Sequence, residues 1–499
     1  MIVCRGKGDL YAEIIAFINS MYDRRELFMW LRGRCYCDIM ALHSDVTGSC
    51  NLVVIKLPDR QTIKFIVDCG LFQERECEDL NRTFPFNAEN IDFCLLTHNH
   101  VDHTGRLPLL VKNGFRGKIY TTRATSKLLP LALADSYKVL KQSAKKKGSK
   151  PLYGEADVSV TETLVTPCDY YETVHIGNNV KVTFLKNGHL VGAALILVQI
   201  SYPGNENINL LFTGDYNNKN MFFDVDPIPE WILNLPLTII QESTYGYMDS
   251  NERKEVFKEN LLNCMERGGT AIIPAFSLGR AQEALYEVKC MQESGELDKD
   301  IPIYFDGKLA IRYTHLYLTG ELDIKEEMED FLPDNVTIVD KIIRPGVLED
   351  NSKKIVISSS GMGSYGPSHT YITEYISRPK SLIHFTGYTA EGTLGRRLKD
   401  TKFGEKVEVG GLVTRKFATV EYTTEFSAHA KADEMIDFLN QFKNLNLVLV
   451  NHGQADVKTK FAERILDEVN TRRVGILGRE YVFRVNHWGL QKTLSSKFA

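Results

Sequence analysis

The sequence has no pair of cysteines in a CxxC arrangement, although its 499 residues include ten cysteines. Apart from Cys35 and Cys37 the cysteines are scattered singly, so neither a disulfide framework nor a thiolate zinc site is indicated. No apolar run approaches the roughly 20 residues of a membrane span, and no signal-peptide pattern opens the chain. We therefore expect a cytoplasmic protein that does not associate with a membrane.

A basic charge balance is also missing, because the formal net charge is −4. No global field attracts nucleic acid, so a polyanion would have to be held by a local basic patch or by bound metal ions. Internal repeats and low-complexity tracts are absent from the sequence. The length allows two or three globular domains, each with its own core.

Histidine is sparse, with twelve residues in the chain, but three of them crowd into the segment LLTHNHVDHTG. His98, His100, Asp102 and His103 follow an apolar run that predicts a short buried strand ending in a tight loop. Four such ligands in six positions cannot all reach one tetrahedral ion without strain, whereas two neighbouring ions can divide them. Imidazole and carboxylate ligands suit zinc, with manganese and iron as alternatives.

Four more metal-competent residues stand at the ends of apolar runs. They are Asp68, His189, Asp215 and His452. Each has a glycine close by in sequence, which lets the backbone approach an ion closely. Because their contexts match, we expect them to converge on the histidine-rich segment.

The pattern of predicted helices and strands changes along the chain. Apolar residues at helical spacing predict a helix over 8–32, either an appended amphipathic helix or, as is more common, a helix that packs on the domain edge, and strands dominate from Cys35. The lysine-rich stretch 140–150 is interpreted as a flexible link, more typical of a solvated loop than of a nucleic-acid contact. From about residue 244, strands and helices alternate as in a doubly wound parallel sheet, and the strand-rich pattern of the first part returns near the C-terminus.

These motifs resemble those of a known family. HxHxDH, followed by GH and GD after strands, resembles the metallo-β-lactamase fold. ESTYG, GGTAIIPAFSLGRAQE, SSSGMGS, TGYTAEGTLGRRL, FSAHA and VNHGQ resemble its β-CASP branch, RNA-processing nucleases akin to the endonuclease subunit of the pre-mRNA 3′-end cleavage factor. The bacterial and archaeal members with an RNA-specificity segment are the most similar, and the resemblance runs from about Thr47 to Gly453.

The resemblance implies an α/β architecture, namely a four-layer αββα metallo-β-lactamase fold with an inserted β-CASP α/β domain built on a parallel sheet. The expected segments are a helical extension (1–34), the first part of the metallo-β-lactamase domain (35–243), the β-CASP domain (244–425), the second part of the first domain (426–486) and a tail (487–499). The metal site would then form only when the chain returns from the insertion.

The resemblance also implies a role for each matching residue. His98, His100 and His189 would hold one Zn²⁺, and Asp102, His103 and His452 a second, with Asp215 bridging both. Asp68 would orient ligands without binding metal. Glu242, His429 and His452 match the three motifs peculiar to the β-CASP group. DNA-directed members commonly carry an aliphatic residue at the third motif, so His452 favours RNA.

From these roles we predict a zinc-dependent ribonuclease that hydrolyses phosphodiester bonds of single-stranded RNA. It would be an endonuclease, with 5′-exonuclease activity left open. Two Zn²⁺ per chain would turn water into an attacking hydroxide at neutral pH. His429, held by Glu242, would be the general acid, with Asp102 and Asp68 as further catalytic side chains.

Substrate contacts are predicted in the inserted domain. Ser277 and Arg280 precede or open a helix whose N-terminal amides could bind a phosphate, and Ser360 lies in the glycine-rich loop SSSGMGS. Tyr245 and Tyr388 are candidates for stacking on bases, although packing aromatics are the commoner case.

The sequence is also compatible with two other functions. The chain could be another hydrolase of the same fold acting on an ester, lactone or thioester, against which the late FSAHA and VNHGQ histidines argue. It could also be a non-catalytic RNA-binding scaffold, although such relatives usually lose ligands and all seven are retained here. A homodimer is a candidate assembly.

Overall fold

A computed structural model describes residues 2–3, 34–42, 46–73, 75–387, 389–390, 392–426 and 428–495. It divides the chain into two compact units. Unit 1 comprises Met1–Lys219, Val225–Ser250 and His429–Ala499, and unit 2 comprises Asn220–Asp224 and Asn251–Ala428. The helix expected over 8–32 and the side chain of Tyr388 lie outside the described residues.

Twenty-four strands are described within those ranges. In chain order they are β1 Ile2–Val3, β2 Tyr36–Ala41, β3 Asn51–Lys56, β4 Thr62–Val67, β5 Phe93–Leu95, β6 Lys118–Thr122, β7 Val165–Cys168, β8 Thr173–Ile176, β9 Val180–Lys186, β10 Ala194–Ile200, β11 Ile208–Phe212, β12 Pro236–Gln241, β13 Thr270–Pro274, β14 Ile303–Asp306, β15 Val336–Val339, β16 Lys354–Ser358, β17 Leu382–Phe385, β18 Lys406–Val409, β19 Leu412–Arg415, β20 Thr419–Tyr422, β21 Asn444–Val450, β22 Val474–Ile476, β23 Tyr481–Asn486 and β24 Gly489–Ser495.

The α-helices of the described ranges have 4 to 14 residues, apart from one of 24 residues. They are α1 Val101–Thr104, α2 Leu107–Lys112, α3 Arg123–Lys146, α4 Glu155–Leu164, α5 Glu230–Leu233, α6 Phe257–Glu266, α7 Arg280–Glu293, α8 Lys308–Leu318, α9 Arg344–Glu349, α10 Gly366–Tyr375, α11 Leu394–Asp400, α12 Ala432–Asn440 and α13 Ala455–Glu468. None of them combines the length and apolar character needed to cross a bilayer.

Two eight-stranded mixed sheets form the centre of unit 1. Their strand orders are β24-β23-β2-β3-β4-β5-β6-β7 and β1-β22-β21-β12-β11-β10-β9-β8. In β10, Ile196 and Val198 belong to the core between the sheets, whereas Leu195 and Leu197 belong to the core under α12 and α13. Such alternation follows from the two-residue period of a strand that is buried on both faces.

The outer face of the other sheet is covered in the same way. Leu129 and Leu133 of α3 pack with Ile66 and Cys94 of that sheet in a third core cluster. Unit 1 is therefore a four-layer αββα sandwich, which confirms the predicted fold class. The parallel pairs β4–β5, β11–β12 and β12–β21 place the carboxyl ends of their strands at one edge of each sheet.

Unit 2 contains a six-stranded parallel sheet in the order β15-β14-β16-β13-β17-β20, and a β18–β19 hairpin. Ile272 of β13 packs with Ile372 of α10, while its neighbours Ala271 and Ile273 are fully buried on the opposite face. Both faces are thus covered, as expected of an inserted α/β domain.

The structure differs from the sequence interpretation in three places. The lysine-rich stretch 140–150, interpreted as a flexible link, continues α3 as far as Lys146. The expected tail contains β24, which pairs with β23 in the sheet of unit 1. Asn220–Asp224 joins unit 2, because Phe222 packs on the rings of Tyr317 and Phe331. The last two differences depend on tertiary contacts that the local sequence pattern does not report.

A buried histidine of unit 2 leads to a stability prediction. His384 on β17 is 1% exposed, and neither ring nitrogen has a hydrogen-bond partner among the described residues. Burial, together with Lys254 and Lys399, lowers its pKa to about 3. The unfolded chain would therefore bind the proton first, so stability should fall as the pH drops below about 6.5, by about 2 kcal/mol at pH 5.

His384→Phe should remove this acid sensitivity and should raise stability at neutral pH by about 1–3 kcal/mol, since an unsatisfied buried polar group is lost. Urea unfolding at pH 8 and pH 5 measures both effects. His315→Phe, at an exposed position of α8, is the matched control. An equal loss of stability on acidification in wild type and His384→Phe would contradict this origin.

Candidate metal centre

The predicted site residues follow the carboxyl ends of strands of unit 1. Asp68 follows β4, and His98 follows β5 after Thr97. On the other sheet, Asp215, Glu242 and His452 follow β11, β12 and β21, and His189 follows β9. The two sheets therefore each contribute one side of a single cluster.

The HxHxDH segment turns tightly into α1. His100 is the N-cap of α1 and makes no side-chain capping bond, so its imidazole is available to the cluster. The following loop is held by Cys69 N, which donates to His103 O at 2.7 Å. A Cβ atom on Gly70 would lie 1.5 Å from Asp102 O, so only glycine allows this approach of the two backbones.

Two sets of four ligand atoms are brought together, and Asp215 belongs to both. The atoms of each set lie within 4.8 Å of one another. The first set is His98, His100, His189 and Asp215, and the second is Asp102, His103, Asp215 and His452. Asp215 Oδ2 is 3.6 Å from the Nε2 atoms of both His98 and His189, and its Oδ1 is 3.2 Å from His103 Nε2.

The donor atoms suit metal ions. Within the described residues, none of the buried atoms His103 Nε2, Asp215 Oδ1 and His452 Nε2 makes a hydrogen bond of good geometry, although the first two are 3.2 Å apart. Buried polar atoms without hydrogen bonds are expected where side chains bind an ion. Three imidazoles with a carboxylate, and two imidazoles with two carboxylates, are each a tetrahedral zinc set. Burial lowers the pKa of His100 to about 4, so that imidazole is neutral, as a metal ligand must be.

Asp68 lies behind the ligands. Its Oδ2 accepts from His103 Nδ1 at 2.7 Å, and its Oδ1 accepts from Thr97 N at 2.9 Å. Thr97 Oγ1 is within 3.0 Å of both Asp68 Oδ1 and His98 Nδ1, so one carboxylate orients a ligand of each set. Asp68 adopts a left-handed φ of 63°, a strained conformation for a residue other than glycine.

Asp68→Asn should weaken metal binding roughly 10- to 100-fold, because an amide cannot accept from both His103 and Thr97. Competition with a chelator measures the affinity, and cleavage should recover when excess metal is added. Asp38→Asn, which breaks the Asp38–Arg484 ion pair on β2 and β23, serves as the control. Unchanged metal affinity in Asp68→Asn would show that the carboxylate is not needed to orient the ligands.

Glu242 and His429 form a pair beside the cluster. His429 Nδ1 lies 2.9 Å from Glu242 Oε1, and its Nε2 faces Asp215 Oδ2 at 3.8 Å. Glu242 itself accepts from the backbone N–H of Tyr216 and Thr244. Burial opposes the charged imidazolium, but Glu242 and Asp215 outweigh it and raise the pKa of His429. A protonated Nε2 is the form that a general acid requires.

The predicted substrate residues are placed differently. Ser277 and Ser360 are partly exposed in the loops after the adjacent parallel strands β13 and β16 of unit 2. Arg280 is 7% exposed, and its guanidinium binds Glu283 and the carbonyl of Phe426 inside unit 2. The Nη1 atom of Arg280 therefore serves the interior of the unit, and the phosphate contact of this residue stays a prediction.

Tyr245 is not an exposed stacking surface. Its side chain is 5% exposed, its ring centroid is 6.0 Å from that of His429, and Lys431 Nζ lies 3.4 Å above the ring. The expectation that it stacks on bases gives way to a packing role beside His429.

Sequence reasoning did not identify two asparagines that support the site. Asn187 Nδ2 donates to the carbonyls of Thr213 and Asp215, and its Oδ1 accepts from His189 N. Asn451 Nδ2 donates to Asn51 Oδ1 at 3.0 Å. Asn187 stands two positions before His189 and Asn451 directly before His452, and that spacing is the only signal the sequence offered.

Three family models match the chain. They describe a metallo-beta-lactamase superfamily domain (58–223), a Beta-Casp domain (281–398) and a Zn-dependent metallo-hydrolase RNA specificity domain (416–474). Together they span both units described above.

Several known proteins are similar in sequence to this chain. Ribonuclease TTHA0252 of Thermus thermophilus is 30% identical over 424 residues, 83% of this chain and 91% of its own length. The transcription termination factor FttA of Methanosarcina mazei is 28% identical, over 93% of this chain and 76% of its length. The cleavage and polyadenylation specificity factor subunit 3-I of Arabidopsis thaliana is 29% identical, over 77% of this chain and 54% of its length.

Proposed function

The chain belongs to the β-CASP family of metallo-β-lactamase-fold RNA nucleases, and from that premise we propose that it hydrolyses phosphodiester bonds of single-stranded RNA with two bound Zn²⁺. The observation that carries the proposal is the double cluster sharing Asp215, with the His429–Glu242 pair beside it. Shared carboxylates of this kind are typical of two-metal hydrolases.

The residues would divide the work. His98, His100 and His189 would hold one ion and Asp102, His103 and His452 the other. Bound ions in such a site activate water and neutralise charge on the phosphodiester. The protein supplies their placement, because Asp68 and Thr97 orient ligands of both sets.

The leaving group needs a proton, since a ribose 3′-oxyanion departs poorly. We assign that proton to His429 Nε2. Glu242 accepts from Nδ1, which leaves Nε2 as the donor directed toward Asp215. A general acid contributes roughly 10²–10⁴-fold in rate.

Unit 2 would bind the substrate backbone. The loops after β13 and β16 offer Ser277 and Ser360, and the carboxyl ends of neighbouring parallel strands are the usual ligand sites of doubly wound sheets. Ser360 Oγ donates to Tyr365 O at 3.1 Å, so a phosphate would exchange for that bond.

Incubation with end-labelled single-stranded RNA, with and without chelator, tests the proposal. We expect internal fragments, loss of cleavage on chelation, recovery with Zn²⁺ and about two Zn²⁺ per chain. Stepwise release from the 5′ end would add exonuclease activity, and preference for a duplex would contradict the single-stranded substrate. RNA binding without cleavage, with less than one metal ion per chain, would favour a scaffold. Hydrolysis of esters, lactones or thioesters without RNA cleavage would favour another hydrolase of the fold.

A further inference from the structure

The C-terminal half of α3 and the residues after it form an exposed cationic surface. Six lysines, all exposed, stand in residues 138–150: Lys138, Lys141, Lys145, Lys146, Lys147 and Lys150. No acidic residue occurs between Asp135 and Glu155. The segment carries +6 in a chain of net −4, which leaves −10 for the remainder. We call residues 138–150 the lysine surface.

Helix-dipole complementation and solvation of an exposed helix face explain only some of these lysines. Lysines in the last turn complement the helix dipole, which explains Lys145 and Lys146 but not Lys138 or Lys141, one to two turns earlier. A solvated helix face usually mixes charges of both signs in i,i+4 pairs. Here Lys147 pairs with Glu78, and the other five lysines form no ion pair with any residue of the described ranges.

The helix is anchored to the metal centre. At its start, Thr122 Oγ1 and Thr125 Oγ1 donate to the carbonyl of Gly192, in the loop that follows His189. At its middle, Ser136 hydrogen-bonds the hydroxyl of Tyr153, which donates to Gly105 O directly after α1. The lysine surface therefore begins roughly 20 Å along the axis from the Gly192 contact, at 1.5 Å per residue.

Lys138, Lys141 and Lys145 follow one another at spacings of three and four, so they form a stripe along one side of α3. The buried side of the helix is occupied by Leu129 and Leu133, which pack on the sheet, so the stripe faces solvent. Three cations in a row on a rigid element can neutralise successive phosphates of a polyanion without sequence preference.

We propose that the lysine surface is an accessory RNA-binding site on unit 1 that captures the backbone of long substrates beyond the segment held at the metal centre. This rests on the proposed ribonuclease function. The observations favour RNA as the partner. The lysine surface belongs to the same unit as the metal centre, and α3 is tied to the loops of that centre by hydrogen bonds that end on the carbonyls of Gly192 and Gly105. The rest of the chain is acidic and would repel RNA, so a local cationic surface has a large relative effect.

The test compares Lys138→Gln/Lys141→Gln/Lys145→Gln with a dispersed control, Lys118→Gln/Lys181→Gln/Lys460→Gln, which removes the same charge from exposed positions of unit 1. Binding of a single-stranded RNA of about 40 nucleotides is measured from 50 to 200 mM salt in the slowly cleaving His429→Ala background, which is expected to keep its bound metal. The stripe variant should bind at least tenfold more weakly at low salt. The slope of log K against log salt should fall by about two, near 0.7 per lost contact.

Kinetics provide the second readout. On the long RNA, the stripe variant should raise KM at least fivefold with kcat little changed, and the difference should shrink on a substrate of a few nucleotides that cannot reach the surface. An affinity, salt slope and KM equal to those of the dispersed control would overturn the proposal. So would unchanged RNA binding with lost binding to anionic lipid vesicles or to an acidic protein. If wild type neither binds nor cleaves RNA, the proposed function fails instead.

Discussion

Asp215→Asn is expected to abolish RNA cleavage and to reduce the bound metal. Asp215 contributes Oδ2 to the set that contains His98 and His189, and Oδ1 to the set that contains His103. An amide offers one neutral acceptor where the carboxylate offered two charged ones. Losing the several kcal/mol of charge stabilisation that metal ions supply corresponds to roughly 10³–10⁴-fold in kcat/KM.

Metal analysis and kinetics on end-labelled RNA measure this result together. Asp226→Asn makes the same chemical change at an exposed position of unit 1, where Asp226 pairs with Lys186 at 3.6 Å, and should behave as wild type. Circular dichroism of the apo proteins would show whether Asp215→Asn folds. A folded Asp215→Asn protein that keeps two metal ions and normal cleavage would refute the shared-ligand arrangement.

His429→Ala is expected to slow cleavage of ordinary RNA by roughly 10²–10⁴-fold while leaving the bound metal unchanged. Because a general acid assists departure of the leaving group, the loss should nearly disappear on a substrate whose leaving group is an activated phenolate. Glu242→Gln should show the same dependence with a smaller loss, since His429 keeps its position but loses the carboxylate that raises its pKa.

Single-turnover rates on the two substrates give the comparison, and His175→Ala at an exposed position is the control. Equal losses on both substrates would rule out the acid role. A fall in metal content would instead assign His429 to the ligands, since its Nε2 stands 3.8 Å from Asp215 Oδ2.

Many strands and helices could be predicted because the spacing of apolar residues indicates which faces of an element are buried. In β10, Leu195 and Ile196 face different cores, and a continuous apolar run is what such a doubly buried strand requires. The inserted unit was recognisable from its strand–helix alternation. The separate segment Asn220–Asp224 of that unit was not recognisable. It belongs to unit 2 because Phe222 packs on the rings of Tyr317 and Phe331, about a hundred positions away.

The site could be predicted where chemistry is local. His98, His100, Asp102 and His103 are adjacent in the chain, and their residue types already indicate a metal. Arg280 shows the limit, because an arginine that opens a helix suits a phosphate in sequence, whereas the contacts of its Nη1 with Glu283 and Phe426 are visible only in the tertiary structure.

By itself, then, the sequence indicated the strands and helices, a candidate metal-binding segment and the strand-end residues, since residue type and period are local properties, whereas the layered α/β class was implied by the family resemblance. The family resemblance already implied that Asp215 is shared and that Glu242 holds His429, but only the tertiary structure gave the distances within these groups and placed the lysines of α3 on one surface. Those relations depend on strand register and on packing between distant segments, and no local pattern encodes either.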